Sequence, residues 1–184
     1  EHYGAEVILI HDAGNIGECI EECVKEAKRI KAQNDHVFIP QQFENEANPM
    51  VHREHTGLEI LEQVHGPIDG FCSGIGTGGT ITGIGETLKK ENPNMIIWAV
   101  EPENAAVLAG GTVGTHIQMG IGDGVIPKVL NQNIYDDIAI ISDEEALSTA
   151  KALASQEGLM CGISSGTNVA AALRLAKKLG EGKT

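Results

Sequence analysis

A glycine-rich turn between a predicted strand and a predicted helix limits the possible folds of this chain more than any other segment. Residues 68–73 have the apolar composition of a strand, residues 81–91 have the spacing of a helix, and residues 95–101 form a second strand with almost no polar interruption. A strand, a crossover helix and a second strand place the two strands parallel. Because parallel sheets are covered on both faces, we predict an α/β fold with three layers.

The rest of the sequence continues this alternation of strands and helices. Further strands are predicted at residues 6–11, 37–39 and 138–141. Amphipathic or alanine-rich helices are predicted from about residue 16 and at residues 48–64, 142–158 and 168–179. A tight polar turn is predicted at residues 163–166. Two capping boxes, Asn15 with Glu18 and Ser142 with Glu145, predict where two of the helices begin. Residues 105–128 are rich in glycine and lack periodicity, so we expect a long irregular loop of the kind that carries function.

The composition favours a small-molecule ligand over a nucleic acid or a membrane. The 184 residues carry a formal net charge of −13 and only 3% aromatic side chains, whereas nucleic-acid binding requires basic patches and stacking rings. No apolar run approaches the roughly 20 residues that span a bilayer, and the N-terminus lacks the features of a signal peptide. Four scattered cysteines without a CxxC pair indicate reduced thiols, and we expect a cytoplasmic protein.

The turn at residues 74–80 has the composition of a phosphate-binding site. It contains four glycines and two threonines in seven residues, between a strand and a helix. Successive backbone N–H groups and the helix N-terminus can therefore point at one anion, and Thr77 and Thr80 add hydroxyl donors. Glycines allow the close approach of phosphate oxygens and the backbone angles that such a turn needs.

The same residues also satisfy the fingerprint of dinucleotide-binding proteins. The spacing Gly74-x-Gly76-x-x-Gly79 matches it, and Glu101 ends the next strand where an acid that binds a ribose would lie. A nicotinamide-dependent oxidoreductase is therefore an alternative, although the threonines suit a terminal monophosphate better than a pyrophosphate. A Walker A loop is excluded because no Gly-Lys-Ser/Thr follows the turn.

Three other patterns are weaker candidates for function. His52 and His55 lie three residues apart and Cys19 and Cys23 lie four apart, but neither pair has a third ligand in the sequence, so we predict no metal site. Residues 164–166 do not form the Gly-x-Ser-x-Gly elbow of a hydrolase and are expected to be a capping turn.

Seven longer motifs, taken together, resemble one known family. They are PQQFENEANP at 40–49, HREHTG at 52–57, GIGTGGTITG at 74–83, AVEP at 99–102, GIGDGVIPKVL at 120–130, SDEEAL at 142–147 and EGLMCGISSG at 157–166. Their order and spacing resemble the cysteine synthase (O-acetylserine sulfhydrylase) family, which belongs to the tryptophan-synthase-β-like, fold type II, pyridoxal-phosphate enzymes. The resemblance runs over nearly the whole chain.

The resemblance implies a cofactor, a reaction and a set of binding residues. It implies that the 5′-phosphate of pyridoxal 5′-phosphate is held by Gly76, Thr77, Gly78, Gly79 and Thr80, that Gly120 borders the cofactor, and that Gln42 helps to bind the substrate carboxylate. The implied reaction makes L-cysteine and acetate from O-acetyl-L-serine and sulfide. Alternatives within the family are cystathionine β-synthase or β-cyanoalanine synthase activity, which differ in the nucleophile, and a non-catalytic homologue.

The resemblance also implies that the catalytic lysine is not in this sequence. In the family, the Schiff-base lysine lies upstream of the segment that matches Glu1, so no catalytic residue is expected here, and Lys128 is expected to be a surface charge. Residues 1–45 would end a smaller N-terminal domain and residues 46–184 would form most of the larger phosphate-binding domain, without its C-terminal strands. The implied partners are a second copy, forming a homodimer, and the C-terminal tail of serine acetyltransferase.

Overall fold

The computed structural model describes residues 2–11 and 16–184, in which helices cover both faces of a three-stranded sheet. The strands β1 (Gly70–Gly74), β2 (Ile96–Pro102) and β3 (Asp137–Ile141) lie in that order and are all parallel. The helices are α1 (Ile16–Gln33), α2 (Ala47–Val51), α3 (Gly57–Gln63), α4 (Gly79–Glu91), α5 (Asp143–Ala152) and α6 (Ile163–Leu179). Two π-helical turns, His52–Thr56 and Leu153–Glu157, join α2 to α3 and extend α5, and a 3₁₀ turn occupies Glu103–Ala105. The predicted α/β class with a parallel sheet is confirmed.

The central strand β2 shows why both faces of the sheet carry helices. Ile97 and Ala99 are fully buried in a core that includes Leu88 of α4. The alternate residues Trp98 and Val100 belong to a second core with α5 and α6. Successive side chains of a strand point to opposite faces, so an uninterrupted apolar strand needs a hydrophobic layer on each side.

The predicted strands at residues 6–11 and 37–39 do not belong to the sheet. Both segments are irregular, and Leu9 is 89% exposed. Apolar β-branched residues favour a strand, but a strand exists only where a neighbour pairs with its backbone groups. Within the described part of the chain, neither segment has a strand beside it. The helix predicted from about residue 16 is present as α1, whereas Asn15 of its predicted capping box lies outside the described residues.

The polar turn predicted at residues 163–166 is wrong, because these residues form the first turn of α6. Serine and glycine are poor helix formers, which favoured a turn in the sequence. In the structure, a Cβ on Gly166 would overlap the carbonyl oxygen of Ala146 and lie 2.7 Å from the backbone nitrogen of Ala150. Glycine therefore permits close packing of α6 on α5, and this tertiary contact outweighs the low helix propensity.

Other predictions at the ends of elements agree with the structure. The hydroxyl of Ser142 accepts a hydrogen bond from the backbone nitrogen of Glu145 at 3.2 Å, as the capping box predicts. Gly158 adopts a left-handed φ of 70° where the extended α5 ends. Residues 106–136 contain neither helix nor strand, in agreement with the long loop predicted at 105–128. No helix among the described residues is long and apolar enough to cross a membrane.

We expect Gly166→Ala to lower the free energy of unfolding by about 2 kcal/mol, because overpacking at a close helix contact costs about that much. In an unconstrained helix the same change would be stabilising. Urea denaturation of the full-length protein measures the difference. The control is Gly162→Ala at the start of the same helix, where the nearest atom to a new Cβ is 4.0 Å away. An unchanged or higher stability of Gly166→Ala would contradict close packing at this site.

Candidate functional site

A cavity of about 680 Å³ lies at the carboxyl end of β1. It is lined by residues 73, 74, 76–78 and 80 at the glycine turn, by residues 120, 121 and 123 of the long loop, by residues 42–43, by Ile20 of α1 and by Asn168 of α6. Ligands of open parallel sheets bind at this edge, outside the carboxyl ends of the strands. The volume lies within the range of sites for small molecules and cofactors.

The turn after β1 keeps its shape because glycine occupies two restricted positions. Gly78 has a left-handed φ of 78°, a conformation that other residues adopt at an energetic cost. A Cβ on Gly76 would overlap the carbonyl oxygen of Gly120, which belongs to the opposite wall of the cavity. The backbone of the turn can therefore lie directly against the long loop.

The N-terminus of α4 presents backbone donors that have no partner within the helix at this turn. The first helical hydrogen bond runs from the nitrogen of Thr82 to the oxygen of Gly78 at 3.2 Å. The N–H groups of residues 79–81 therefore have no partner within the helix. Gly78, at the N-cap, provides no side-chain cap. Backbone donors and the positive end of a 13-residue helix favour a bound anion.

The structure brings most of the predicted binding residues to this one cavity. The predicted residues that line it are Gln42, Gly76, Thr77, Gly78, Thr80 and Gly120. Gly79 is not among them, because its Cα faces the side chain of Asn48, with which a Cβ would overlap. Only the backbone N–H of Gly79, in the first turn of α4, remains as a donor, and it lies 3.4 Å from the Thr77 hydroxyl oxygen.

Asp123 and Asn168 are among the polar residues of the cavity that were missed in the sequence. The Asn168 side-chain oxygen accepts a hydrogen bond from the backbone nitrogen of Gly74 at 2.7 Å, which fixes the end of β1. Burial raises the pKa of the half-buried Asp123 carboxyl, and the nearby His116 opposes this rise. Asp123 lies within the GIGDG motif, which was a signal for its position, whereas the helical setting of Asn168 gave none.

Glu101, which supports the nicotinamide alternative in the sequence, has a structural role. Its side chain is 2% exposed and accepts hydrogen bonds from the backbone nitrogens of Leu108 at 2.9 Å and Ala109 at 3.1 Å. Burial raises the pKa of this carboxyl, although these backbone donors act in the opposite direction. Both carboxylate oxygens hold the long loop in place, so Glu101 is not available to bind a ribose. The nicotinamide alternative therefore lacks the acid that a dinucleotide site requires.

The remaining sequence candidates do not line the cavity. The Lys128 side chain is 74% exposed and pairs with Glu44 at 2.9 Å, as expected of a surface charge. No lysine is found among the described residues that line the cavity. The ring nitrogens of His52 lie 3.1 Å from the Thr56 hydroxyl and 3.3 Å from the Thr80 hydroxyl. In residues 2–11 and 16–184, no three potential ligands are grouped closely enough to hold a metal ion.

Comparison with known proteins shows which family this chain matches. The family model described as "Pyridoxal-phosphate dependent enzyme" matches residues 1–184. Cysteine synthase from Staphylococcus aureus is 46% identical over 183 residues, which are 99% of this chain and 57% of the relative. The chain therefore spans just over half the length of this curated relative.

Solved structures agree with this comparison. A cysteine synthase from Entamoeba histolytica is 38% identical with a TM-score of 0.88, over 100% of this chain and 53% of that one. An O-acetylserine-dependent cystathionine β-synthase from Helicobacter pylori is 36% identical with a TM-score of 0.85, over 89% and 53% of the two chains. A hydrogen sulfide-producing enzyme from Fusobacterium nucleatum is 34% identical with a TM-score of 0.89, over 99% and 60%.

We expect Asp123→Asn to stabilise the protein at pH 7. A carboxyl whose pKa is raised in the folded state destabilises that state increasingly as the pH rises from the unfolded pKa through the folded pKa. Removing the charge removes this penalty, so the gain should be present at neutral pH and should disappear as the pH falls below the ordinary value of 3.8. Urea denaturation at several pH values measures the effect.

Asp137→Asn is the matched control, for which the expected change in stability at pH 7 has the opposite sign. The backbone N–H of Ile138 and the Lys178 ammonium lower the pKa of the exposed Asp137 carboxyl. Its stabilising contribution is therefore present above the unfolded pKa and lost as the pH falls through the folded pKa. Asp137→Asn should be less stable than the unmodified protein at pH 7. A loss of stability at pH 7 in Asp123→Asn as well would contradict the burial cost at the cavity.

Proposed function

This chain belongs to the family of pyridoxal-phosphate-dependent enzymes, and we propose that it forms the part of a cysteine synthase that holds the cofactor phosphate. The observation that carries this proposal is the turn after β1, in which glycine backbone and threonine hydroxyls line one cavity at the start of α4. The 46% identity to cysteine synthase from Staphylococcus aureus supports the same activity.

The residues of the turn fit the phosphate group of pyridoxal phosphate. The groups that it offers are backbone N–H groups and the hydroxyls of Thr77 and Thr80, which can donate hydrogen bonds to phosphate oxygens. The missing Cβ of Gly76 lets the turn lie against the backbone of Gly120, so that the two walls of the cavity keep this separation. A dianionic monophosphate also interacts favourably with the positive end of α4.

Each part of the cavity has a distinct role in this proposal. Gly76, Thr77, Gly78, Gly79 and Thr80 would hold the phosphate, Gly120 would border the cofactor, and Gln42 would donate a hydrogen bond to the substrate carboxylate. When bound, pyridoxal phosphate supplies the electron sink that permits replacement at the β-carbon of an amino acid. The protein contributes by fixing the phosphate and the carboxylate relative to each other, which lowers the entropic part of the barrier.

The proposed reaction is the formation of L-cysteine and acetate from O-acetyl-L-serine and sulfide. The O-acetylserine-dependent cystathionine β-synthase among the similar structures makes homocysteine the first alternative nucleophile to test. The domain division at residue 45, the homodimer, the docking of a serine acetyltransferase tail and a cytoplasmic location remain predictions from the family resemblance.

We expect the full-length protein to release L-cysteine from O-acetyl-L-serine and sulfide, with a kcat/KM at least about tenfold above the values for homocysteine and cyanide. This reflects a difference of about 1.4 kcal/mol in transition-state stabilisation. Product formation by chromatography and absorbance of the bound cofactor provide the two measurements. Bound pyridoxal phosphate with turnover of homocysteine alone would move the assignment to cystathionine β-synthase. A protein that binds NAD and no pyridoxal phosphate would contradict the proposal.

Two variants should separate the cofactor and substrate parts of the cavity. Gly76→Ala should weaken pyridoxal phosphate binding at least about tenfold, because its Cβ would overlap the Gly120 carbonyl oxygen and displace the turn from the opposite wall. Gln42→Ala should raise the KM for O-acetyl-L-serine about tenfold and leave cofactor affinity unchanged, because one hydrogen bond to a charged group is lost. Each variant serves as the control of the other. Equal effects on both ligands in both variants would argue against this division.

A further inference from the structure

Asn48 contacts both proposed binding elements without lining the cavity itself. It lies half-buried in the first turn of α2. Its side-chain nitrogen donates one hydrogen bond to the backbone oxygen of Gln42 at 2.8 Å and another to the hydroxyl oxygen of Thr77 at 2.8 Å. One amide group therefore connects the segment of the proposed substrate residue to the proposed phosphate-binding turn.

We infer that Asn48 is a positioning residue with two effects. It makes the Thr77 hydroxyl a hydrogen-bond donor toward the cavity, and it fixes the position of the Gln42 segment relative to the phosphate-binding turn. This inference rests on the proposed function, since it concerns the same cavity. Asn48 itself would contact neither the cofactor nor the substrate.

The orientation of the Asn48 amide follows from its partners. The Gln42 backbone oxygen is only an acceptor, so the amide atom that lies 2.8 Å from it must be the nitrogen. That nitrogen carries two hydrogens and accepts no hydrogen bond. Its second hydrogen is therefore donated to Thr77, and the hydroxyl of Thr77 cannot donate in return.

The Thr77 hydroxyl can therefore make one further hydrogen bond, in which it is the donor. A hydroxyl oxygen has two acceptor positions and one hydrogen. One position receives the Asn48 N–H at 2.8 Å, and the backbone N–H of Gly79 approaches the same oxygen at 3.4 Å. With its acceptor positions used, Thr77 can make a further hydrogen bond only as a donor. A phosphate oxygen in the cavity is an acceptor and satisfies that requirement.

Close packing of α4 against α2 holds Asn48 in this place. A Cβ on Gly79 would overlap the Asn48 side chain, and a Cβ on Gly83, one turn later, would overlap the backbone oxygen of Pro49. The two glycines lie on one face of α4. Because the amide fills the space above Gly79, it is ordered before a ligand binds, and preorganised donors lose little entropy on binding.

Thr80 provides an internal comparison within the same turn. It has the same side chain and lines the same cavity. Its hydroxyl oxygen, however, lies 3.3 Å from a ring nitrogen of His52, which is a different partner from that of Thr77. A residue that acts through Thr77 should therefore depend on Thr77 and be independent of Thr80.

A double-mutant cycle on the full-length protein tests this dependence. The variants are Asn48→Ala, Thr77→Val and Thr80→Val, alone and as the two pairs that contain Asn48→Ala, with the Kd of pyridoxal phosphate measured by fluorescence titration. We expect Asn48→Ala to raise the Kd about tenfold in the parent and in Thr80→Val, but less than about threefold in Thr77→Val, since residues in contact are not additive. An equal loss in all three backgrounds would overturn the inference.

A second measurement tests the connection to Gln42. At saturating pyridoxal phosphate, Asn48→Ala should raise the KM for O-acetyl-L-serine about threefold or more with a smaller change in kcat, and should raise this KM more than Thr77→Val does. Equal KM values in the two variants would overturn this part. If Asn48→Ala fails to fold, Asn48→Leu, which keeps a similar size and loses the donor without adding a charge, replaces it in the cycle.

These outcomes are distinguishable from a failure of the proposed function. A parent protein that binds no pyridoxal phosphate would overturn both the function and the role of Asn48. A parent protein that binds the cofactor, with independent effects of Asn48 and Thr77, would overturn the role of Asn48 and leave the proposed function intact.

Discussion

The arrangement of the cavity depends on the close approach of α4 to the helix that begins at Ala47. Gly79 and Gly83 lack the side chains that would separate the two helices, and Gly57 meets Thr87 one turn further along. A methyl group at Gly79 would increase the separation of the two helices and displace Asn48. The contacts of Asn48 with Thr77 and with the Gln42 segment would then be broken. Interiors packed at this density transmit such displacements over several residues. The glycines of this chain therefore serve two purposes, one at a turn and one between helices.

The parallel sheet determines where this helix contact lies. All three strands point in one direction, so the turn after β1, Glu101 near the end of β2, and Ser142 after β3 lie at the same edge. The long loop that follows β2 returns to this edge because the Glu101 carboxylate binds its backbone at residues 108–109. That loop then places Gly120 opposite Gly76. A buried carboxylate in the core thus helps to build one wall of the cavity.

Local sequence patterns predicted the parts of this structure that depend on neighbours in the chain. The glycine turn, the capping box at Ser142 and the alternating faces of β2 are of this kind. The strand predicted at residues 6–11 is wrong, since strand formation depends on a paired neighbour that the local pattern does not show. The start of α6 was also missed, because the packing of Gly166 against α5 is a contact between residues 20 positions apart, from Ala146 to Gly166. Asn48 was recognised only as the start of a helix, and its role depends on partners that folding brings together.

The dinucleotide fingerprint shows how one pattern of residues can serve two different sites. The spacing Gly74-x-Gly76-x-x-Gly79 followed by an acid at the end of the next strand satisfies the fingerprint in both number and order. A dinucleotide site and the site in this chain differ in the partners that the same residues contact. Gly79 provides space for Asn48 rather than for a pyrophosphate, and Glu101 accepts hydrogen bonds from a loop rather than from a ribose. The fingerprint therefore identifies a strand, a turn and a helix that can bind an anion, and the partners of its acid and of its last glycine determine which phosphate ligand the site can hold.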